Sequence, residues 1–325
     1  MFRAIRPLQR SMASRPINLI LDWDGTITVK DTMFAYGKIA DTRDARLNRE
    51  PNGSKSFERF GKAWMDDHSA HERTYSPKAH DRKQAAQESA WLKSLSIVET
   101  SSAERVESSG FFNGVTHSDV ATAADELLEN SEVSLRTGWD GLLSRACQES
   151  IGTGHAKPSL QISILSVNWS EAFIRTSLRS AASRSHLDIG LQKYFEHLTI
   201  TANEINGLNQ PGGSNGRLTD PNHAVIRTSF DKLQNLKPLA GHCNIYVGDS
   251  ATDFDCLLTS DLGICIRDEP MGSSARTLAD TFSRIGRDVR HVNKVESWQD
   301  LNTLGSNILW AKDFNEIMDL LKKLQ

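Results

Sequence analysis

A short apolar run, residues 17–21, breaks abruptly at Asp22-Trp23-Asp24-Gly25-Thr26. The run is partly β-branched and follows Pro16, which marks it as a buried strand and not a helix. Two carboxylates therefore stand at the carboxyl end of a strand, where open α/β sheets place their ligands. Carboxylates this close repel unless a cation or a proton lies between them. Asp and Gly are also ordinary turn residues, so taken alone the stretch reads equally as a metal-bound pair or as a polar strand-to-loop turn.

Later segments repeat the pattern. Residues 161–167 read as a strand closing on Ser166 and Asn168, 198–202 as a third, 244–247 as a fourth broken by Gly248-Asp249-Ser250, and 263–266 and 289–292 as two more. Helical periodicity fills 171–183, a helix over 231–239 carries Lys232, and a helix or two runs to the end. Strand and helix alternate, which predicts a doubly wound α/β fold with a parallel sheet between helices. In such a sheet Asp22, Asp24, Ser166, Asp249 and Asp253 share one edge. Lys232 enters from the helix before the Asp249 strand, with Lys237 as its competitor. Carboxylates suit a hard cation such as magnesium, and a hydroxyl and an ammonium suit phosphoryl oxygens. Asn168 either binds a phosphoryl group or caps the next helix. Asp261 reads as shaping a loop, and Phe111, Phe112 and Trp139 as core.

Residues 31–151 are polar and mostly helical, far longer than a normal crossover, and predict a helical cap inserted after the first strand. Within it, 100–109 reads as a loop or ragged helix end, and Ser118 as the cap of a helix bearing Val120, Leu127 and Leu128. Residues 152–159 form a Gly/Pro linker, and the Gly- and Asn-rich stretch 206–220 an exposed loop or wide hairpin. The expected organisation is thus a basic leader, 1–16, a core of 17–30 and 152–325, and the cap. The leader carries Arg3, Arg6, Arg10 and Arg15 and no acid, so it is either an untargeted disordered leader or a mitochondrial presequence, and the cytoplasm or the mitochondrion is the expected compartment. A net charge of -3 gives no reason to expect nucleic acid or an anionic membrane as partner. The apolar runs are too short to span a bilayer. Four cysteines without a Cys-x-x-Cys spacing read as reduced core thiols, and their separation from the ten histidines argues against zinc.

The order Asp22-Trp23-Asp24-Gly25-Thr26, Ser166 at a strand end, Lys232, then Gly248-Asp249-Ser250-Ala251-Thr252-Asp253 resembles the haloacid dehalogenase superfamily of phosphohydrolases. The resemblance covers residues 17–30 and 160–266, with the insert in the place of that family's first-position cap. The phosphoserine-phosphatase-like branch fits best, through Ala202-Asn203-Glu204 before a Gly-rich segment. It implies a Rossmann-like core and Asp22 as a nucleophile that forms an aspartyl-phosphate. Asp24 would be the acid and then the base, and magnesium would sit on Asp22, Asp249 and the backbone carbonyl of Asp24. Thr26, Ser166 and Asn168 would serve the substrate side, Lys232 would stabilise the phosphoryl group and Asp22, and Asp253 would position Lys232 or a metal-bound water. Dehalogenases lack the second aspartate, so Asp24 implies phosphate-ester chemistry. The expected function is a magnesium-dependent phosphatase acting on a small phosphorylated metabolite. The alternatives are a catalytically idle binder of such a metabolite or of a protein, or a phosphomutase. Trp23 is bulkier than the family's usual residue and is expected to pack into the sheet edge. Neither substrate nor oligomeric state is specified.

Overall fold

The computed structural model describes residues 15–152, 158–185, 187, 189–219, 222–223, 225–304 and 306–324. Residues 1–14 of the basic leader and 153–157 of the 152–159 linker lie outside them. The central strand is β1 (Ile17–Leu21), buried along its whole length, as expected of an inner parallel strand. Its one polar residue, Asn18, donates through Nδ2 to Asn244 Oδ1 at 2.8 Å, directly across the ladder on the neighbouring strand.

The remaining strands are β2 (Leu160–Leu165), β3 (Thr199–Thr201), β4 (Cys243–Gly248), β5 (Leu262–Ile266), β6 (Arg290–His291) and β7 (Ile308–Ala311). They form one sheet in the order β3-β2-β1-β4-β5-β7-β6, with every adjacent pair parallel. The strand order turns around at β1, between β2 and β4. The carboxyl ends of those three strands therefore line a crevice.

Alternation along the strands divides the core in two. Ile17, Leu19 and Leu21 of β1, with Cys243, Ile245 and Val247 of β4, face one cluster, whereas Ile20 and Tyr246 face another. Helices cover both faces. Those of the insert are α1 (Ala35–Arg46), α2 (Gly53–Thr74), α3 (Ala85–Ser94), α4 (Ser96–Ser108), α5 (His117–Glu129) and α6 (Trp139–Gly152). The sheet's later helices are α7 (Glu171–Arg184), α8 (Ile189–His197), α9 (Ser229–Asn235), α10 (Phe254–Thr259), α11 (Ser273–Arg284), α12 (Trp298–Leu304) and α13 (Phe314–Leu324). α1, α4 and α5 build a separate aromatic-rich cluster with Phe111 and Phe112, joined to the sheet side through Phe173 of α7. α6 instead places Leu142, Leu143 and Ala146 in the sheet's own core with α7, α8 and α13.

Several local expectations change. Residues 100–108 are not a loop but lie in α4, because Val98, Ser102, Ala103 and Val106 present a buried face and the serines are small enough to pack there. Thr116, not Ser118, caps α5, with Asp119 completing a capping box. The helix over 231–239 runs instead from Ser229 to Asn235, because Thr228 and Asp231 cap it two residues earlier. The described residues of 206–220 form the expected loop, closed on itself by Asn206 N–H donating to Arg217 O at 2.9 Å and tied to the insert by a bridge from Asn215 to Asn113. The C-terminal stretch expected to be helical contains β7, whose four residues complete the sheet between β5 and β6.

Asn203, just past β3, ties this framework together. Its Nδ2 donates to the carbonyls of Val167, Asn168 and Ile226 at 2.9, 3.0 and 2.8 Å, and its Oδ1 accepts from Ile226 N–H at 2.8 Å. It thus holds the end of β2 against the segment that leads into α9. Asn203→Ala removes the partner of the Ile226 N–H and carbonyl and of the Val167 carbonyl, while the Asn168 carbonyl still accepts from the main-chain N–H of residue 203, and is expected to cost about 2–4 kcal/mol in urea unfolding.

Candidate active site

Asp22 follows β1 directly, and its N–H donates to the Val247 carbonyl of β4 at 2.9 Å, which fixes it over the gap between two strands. It is 2% exposed. α9 delivers the cation. Its N-cap Thr228 accepts from Asp231 N–H while Asp231 accepts from Thr228 N–H, so the short helix has a defined start. Lys232 then projects inward, fully buried, with Nζ 2.7 Å from Asp22 Oδ1 and 2.7 Å from Asp253 Oδ1. Lys237 is exposed and takes part only through its carbonyl, which accepts from Asn18, so Lys232 is the lysine of the site.

Asp253 is saturated. Beyond Lys232, its Oδ1 accepts from Tyr246 O–H at 2.7 Å, and its Oδ2 accepts from the N–H groups of Asp249 and Ser250 at 3.1 Å each. Gly248 permits this arrangement, since a Cβ there would lie 2.3 Å from Asp253 Cγ. Asp22, Asp249 and Asp253 place carboxylate oxygens within 4.8 Å of one another. Asp249 Oδ1 is buried with no hydrogen-bond partner among the described residues. Its carboxylate packs on Gly25, where an added Cβ would fall 2.3 Å from Oδ2, and Gly25 itself adopts φ +69°.

The other sequence candidates fall at the same edge with different partners. Asp24 does not join the carboxylate cluster. Its Oδ1 accepts from Thr32 N–H at 2.8 Å and Thr32 O–H at 2.5 Å, and its Oδ2 accepts from Asn168 Nδ2 at 2.9 Å. Asn168 is oriented in turn by Tyr36 of α1, whose hydroxyl donates to Asn168 Oδ1. The N-cap of α7 is Ser170, not Asn168. Ser166 is fully buried and its Oγ accepts from Asn168 N–H at 3.1 Å, which leaves its own proton to donate. Thr26 is buried with no hydrogen-bond partner for Oγ1 among the described residues. Trp23 packs into the sheet core, as its bulk predicts, and its Nε1 donates to Thr32 Oγ1 at 3.3 Å. Asp261 lies apart, accepting from Asn244 N–H at the start of β4. Thr32, Tyr36 and Tyr246 escaped the sequence reading. Each is a hydroxyl on an otherwise unremarkable helix, strand or loop, and only the spacing of Thr32 and Tyr36 after Asp24 could have drawn the eye.

Crowded acids in a dry site shift upward. Burial, then the Asp253 charge, push Asp22 to about 8 against the pull of Lys232. Burial, then Asp253 and Asp22, raise Asp249 well above the ordinary carboxylate range. Burial also raises Asp24, against the hydrogen bonds from Thr32 and Asn168. Burial disfavours the charge on Lys232, but Asp22 and Asp253 outweigh it and hold its pKa above the usual lysine value. One ammonium thus faces three carboxylates, and among the described residues nothing hydrogen-bonds the buried Oδ1 of Asp249. That donor set, all hard oxygen and short of positive charge, fits a divalent cation such as magnesium.

No family model matches the chain. A CTO1 family protein of Schizosaccharomyces pombe is 24% identical over 266 residues, which span 76% of this chain and 81% of that protein. Among solved structures, a substrate-bound phosphoserine phosphatase complex is 10% identical, covers 94% of this chain and 98% of its own, and superposes with a TM-score of 0.44. A functionally unknown protein from Anaerococcus prevotii is 11% identical over 94% of this chain and 93% of its own, with a TM-score of 0.46.

The raised acids link the site to stability. Asp22, at about 8 against an ordinary 3.8, keeps its proton in the folded chain where the unfolded chain has lost it. Its contribution is therefore present at low pH and is lost as pH rises toward 8. Without divalent cations, Tm is expected to fall between pH 6 and pH 8. Magnesium, which competes with that proton, is expected to raise Tm more at pH 8 than at pH 6. Differential scanning fluorimetry at both values checks the pair of outcomes.

Proposed function

We propose that the chain is a magnesium-dependent phosphatase that hydrolyses a small phosphomonoester through an aspartyl-phosphate on Asp22. The observation that carries this reading is the meeting of Asp22, Asp249 and Asp253 around Lys232 at the carboxyl ends of β1 and β4. Asp22 and Asp249, with the Asp24 backbone carbonyl that the family resemblance adds, would hold the magnesium ion. When bound, the ion offsets the negative charge shared by the carboxylates and the phosphoryl group.

Each residue then has a defined task. Lys232 lies against Asp22 Oδ1, orients that carboxylate and favours its ionised form against the effect of burial. Asp22 attacks phosphorus, and the ester oxygen leaves with the P–O bond electrons and takes a proton from Asp24. Burial raises Asp24, which favours the protonated form that this step needs. Water then attacks the aspartyl-phosphate and gives its proton back to Asp24, and phosphate departs as Asp22 is restored. Ser166 donates its free proton to a phosphoryl oxygen. Asp253 is spent on Lys232, Tyr246 and two main-chain amides, which makes it a support for Lys232 and not a ligand.

One observation favours a second reading, a protein that binds a phosphometabolite without turnover. Among the described residues, the hydrogen bonds to the Asp24 carboxylate come from donors of Thr32 and Asn168, an arrangement that suits an ionised group and not an acid ready to give a proton. Turnover requires Asp24 to leave these partners.

Purified protein with magnesium, assayed on a panel of small phosphomonoesters, is expected to release inorganic phosphate, and chelation to abolish the release. Asp22→Asn is expected to lower kcat by at least about 10³-fold. The same change removes a carboxyl whose charged form the dry site disfavours, so in the absence of magnesium Tm is expected to rise, and to rise more at pH 8 than at pH 6. Binding of a phosphorylated compound with no phosphate release from any panel member would favour the second reading. Transfer of phosphate within the substrate would point to a mutase.

A further inference from the structure

The extended segment between α5 and α6 returns beside the one that follows β1. Thr28 and Leu135 form an antiparallel bridge, Val29 N–H donates to Ser134 O at 2.9 Å, and Arg136 N–H donates to Ile27 O at 2.8 Å. At the base of this pair stands Arg136, 4% exposed. Its guanidinium spends most of its donors on main-chain oxygen. Nη2 donates to Gly25 O at 2.8 Å, Nε to Thr26 O at 3.1 Å, and Nη1 to Lys312 O at 3.4 Å. Among the described residues its carboxylate partner is Asp268, 2.7 Å from Nη1 with a side chain 53% exposed.

This placement bears on the turn that carries Asp24. A guanidinium is a rigid planar fork, so carbonyls held by Nε and Nη2 cannot rotate independently. A peptide is planar and trans, so fixing the Gly25 carbonyl also sets the direction of the Thr26 N–H on its opposite edge. The preceding peptide is tied in the same way, since Gly25 N–H donates to Thr28 Oγ1 at 3.1 Å and thereby aims the Asp24 carbonyl. Gly25 has φ +69° and no side chain to stop the turn from relaxing, because the Asp249 carboxylate occupies the space where a Cβ would sit. External ties must therefore hold the turn, and Arg136 supplies two of them.

We propose that Arg136 is the positioning residue for the Asp24 turn: from the segment between α5 and α6, it locks the Gly25–Thr26 peptide and so fixes Asp24 and the seat of Asp249. The proposal rests on the reading of Asp22 and Asp24 as the reacting pair. Asp268 is not a comparable anchor, because its half-exposed carboxylate is readily solvated when Arg136 is removed. A lysine at 136 keeps the charge but cannot hold two carbonyls in one plane.

The test uses the full-length chain with Arg136→Ala and Arg136→Lys. Phosphate release with magnesium is followed beside thermal unfolding and hydrogen exchange of the amides of residues 25–28. Misplacement of a reacting group by about an ångström lowers kcat by about 10²-fold, which is the loss expected for Arg136→Ala, with about 10-fold for Arg136→Lys and KM within about threefold in both. Exchange at 25–28 is expected to accelerate in both variants while Tm of Arg136→Lys stays near that of the parent. Added guanidinium is expected to restore part of the kcat of Arg136→Ala and to leave the parent unchanged. A lysine variant equal to the parent in both kcat and exchange overturns the proposal, as does a change confined to KM. If Arg136→Ala fails to fold, the lysine variant decides alone. If the parent chain releases no phosphate, the hydrolase reading fails by itself, and exchange at 25–28 still decides Arg136, with unchanged rates overturning it.

Discussion

The arrangement of the site depends on one buried ammonium. Lys232 is fully enclosed and bridges Asp22 and Asp253, which lie on the connections after two adjacent strands. Burying a charge is tolerated only when it is paired and hydrogen-bonded, and here each component supplies the other's partner. Remove the lysine, and two carboxylates remain in a dry crevice with Asp249 beside them. The capping of α9, the glycine at 248 and the hydroxyl of Tyr246 all serve to bring this cation and its two anions to the same point.

The balance of charge is deliberately incomplete in a chemical sense. One cation cannot neutralise three acids, and the deficit appears as upward shifts of Asp22 and Asp249. Structural ion-pair networks commonly close on themselves. Among the described residues, this one leaves a carboxylate oxygen of Asp249 and a threonine hydroxyl at 26 without a hydrogen-bond partner. Perturbed acids and unfilled donors at a strand-end crevice are the features by which a functional site differs from a stabilising one. Asp24 stands outside this deficit. It is held instead by Thr32 and by Asn168, which Tyr36 orients, so the second aspartate is wired to the first helix of the insert and not to the charge cluster.

The sheet and the acids were legible because their signals are local and repeated. An apolar run that ends in Asp-x-Asp-Gly, and another that ends in Gly-Asp, name their own positions, and parallel topology brings strand ends together without further information. The choice of Lys232 over Lys237 came only from the family resemblance, since both lie close together in sequence. What escaped depends on three-dimensional partners. Nothing in the sequence around Tyr246 says that its hydroxyl meets Asp253, because on a strand it reads simply as a buried aromatic. β7 escaped because four apolar residues between polar ones carry no period. The serines of α4 suggested a loop, yet packing against α2 and the Phe111 cluster overrides a weak local propensity. Asn168 reads from sequence as a phosphate ligand or a helix cap; the cap of α7 is Ser170, and the link from the Asn168 amide to the carboxylate of Asp24 has no signal in the sequence.

The amide pair between Asn18 and Asn244 reaches beyond its own two residues. Strand pairing repeats every two residues, so a slip of one step would turn the outward set of β1 inward and carry its end about 3.3 Å along the sheet. A ladder built only of Ile, Leu and Val discriminates weakly against such a slip when both faces are apolar. The asparagines add discrimination, because a shifted pairing separates the buried Asn18 amide from the half-buried Asn244 that accepts from it. They act as a key for registry, and they sit at the amino-terminal end of the strand, away from any chemistry. Whether Asp22 arrives over Val247 or one step away from it is decided there.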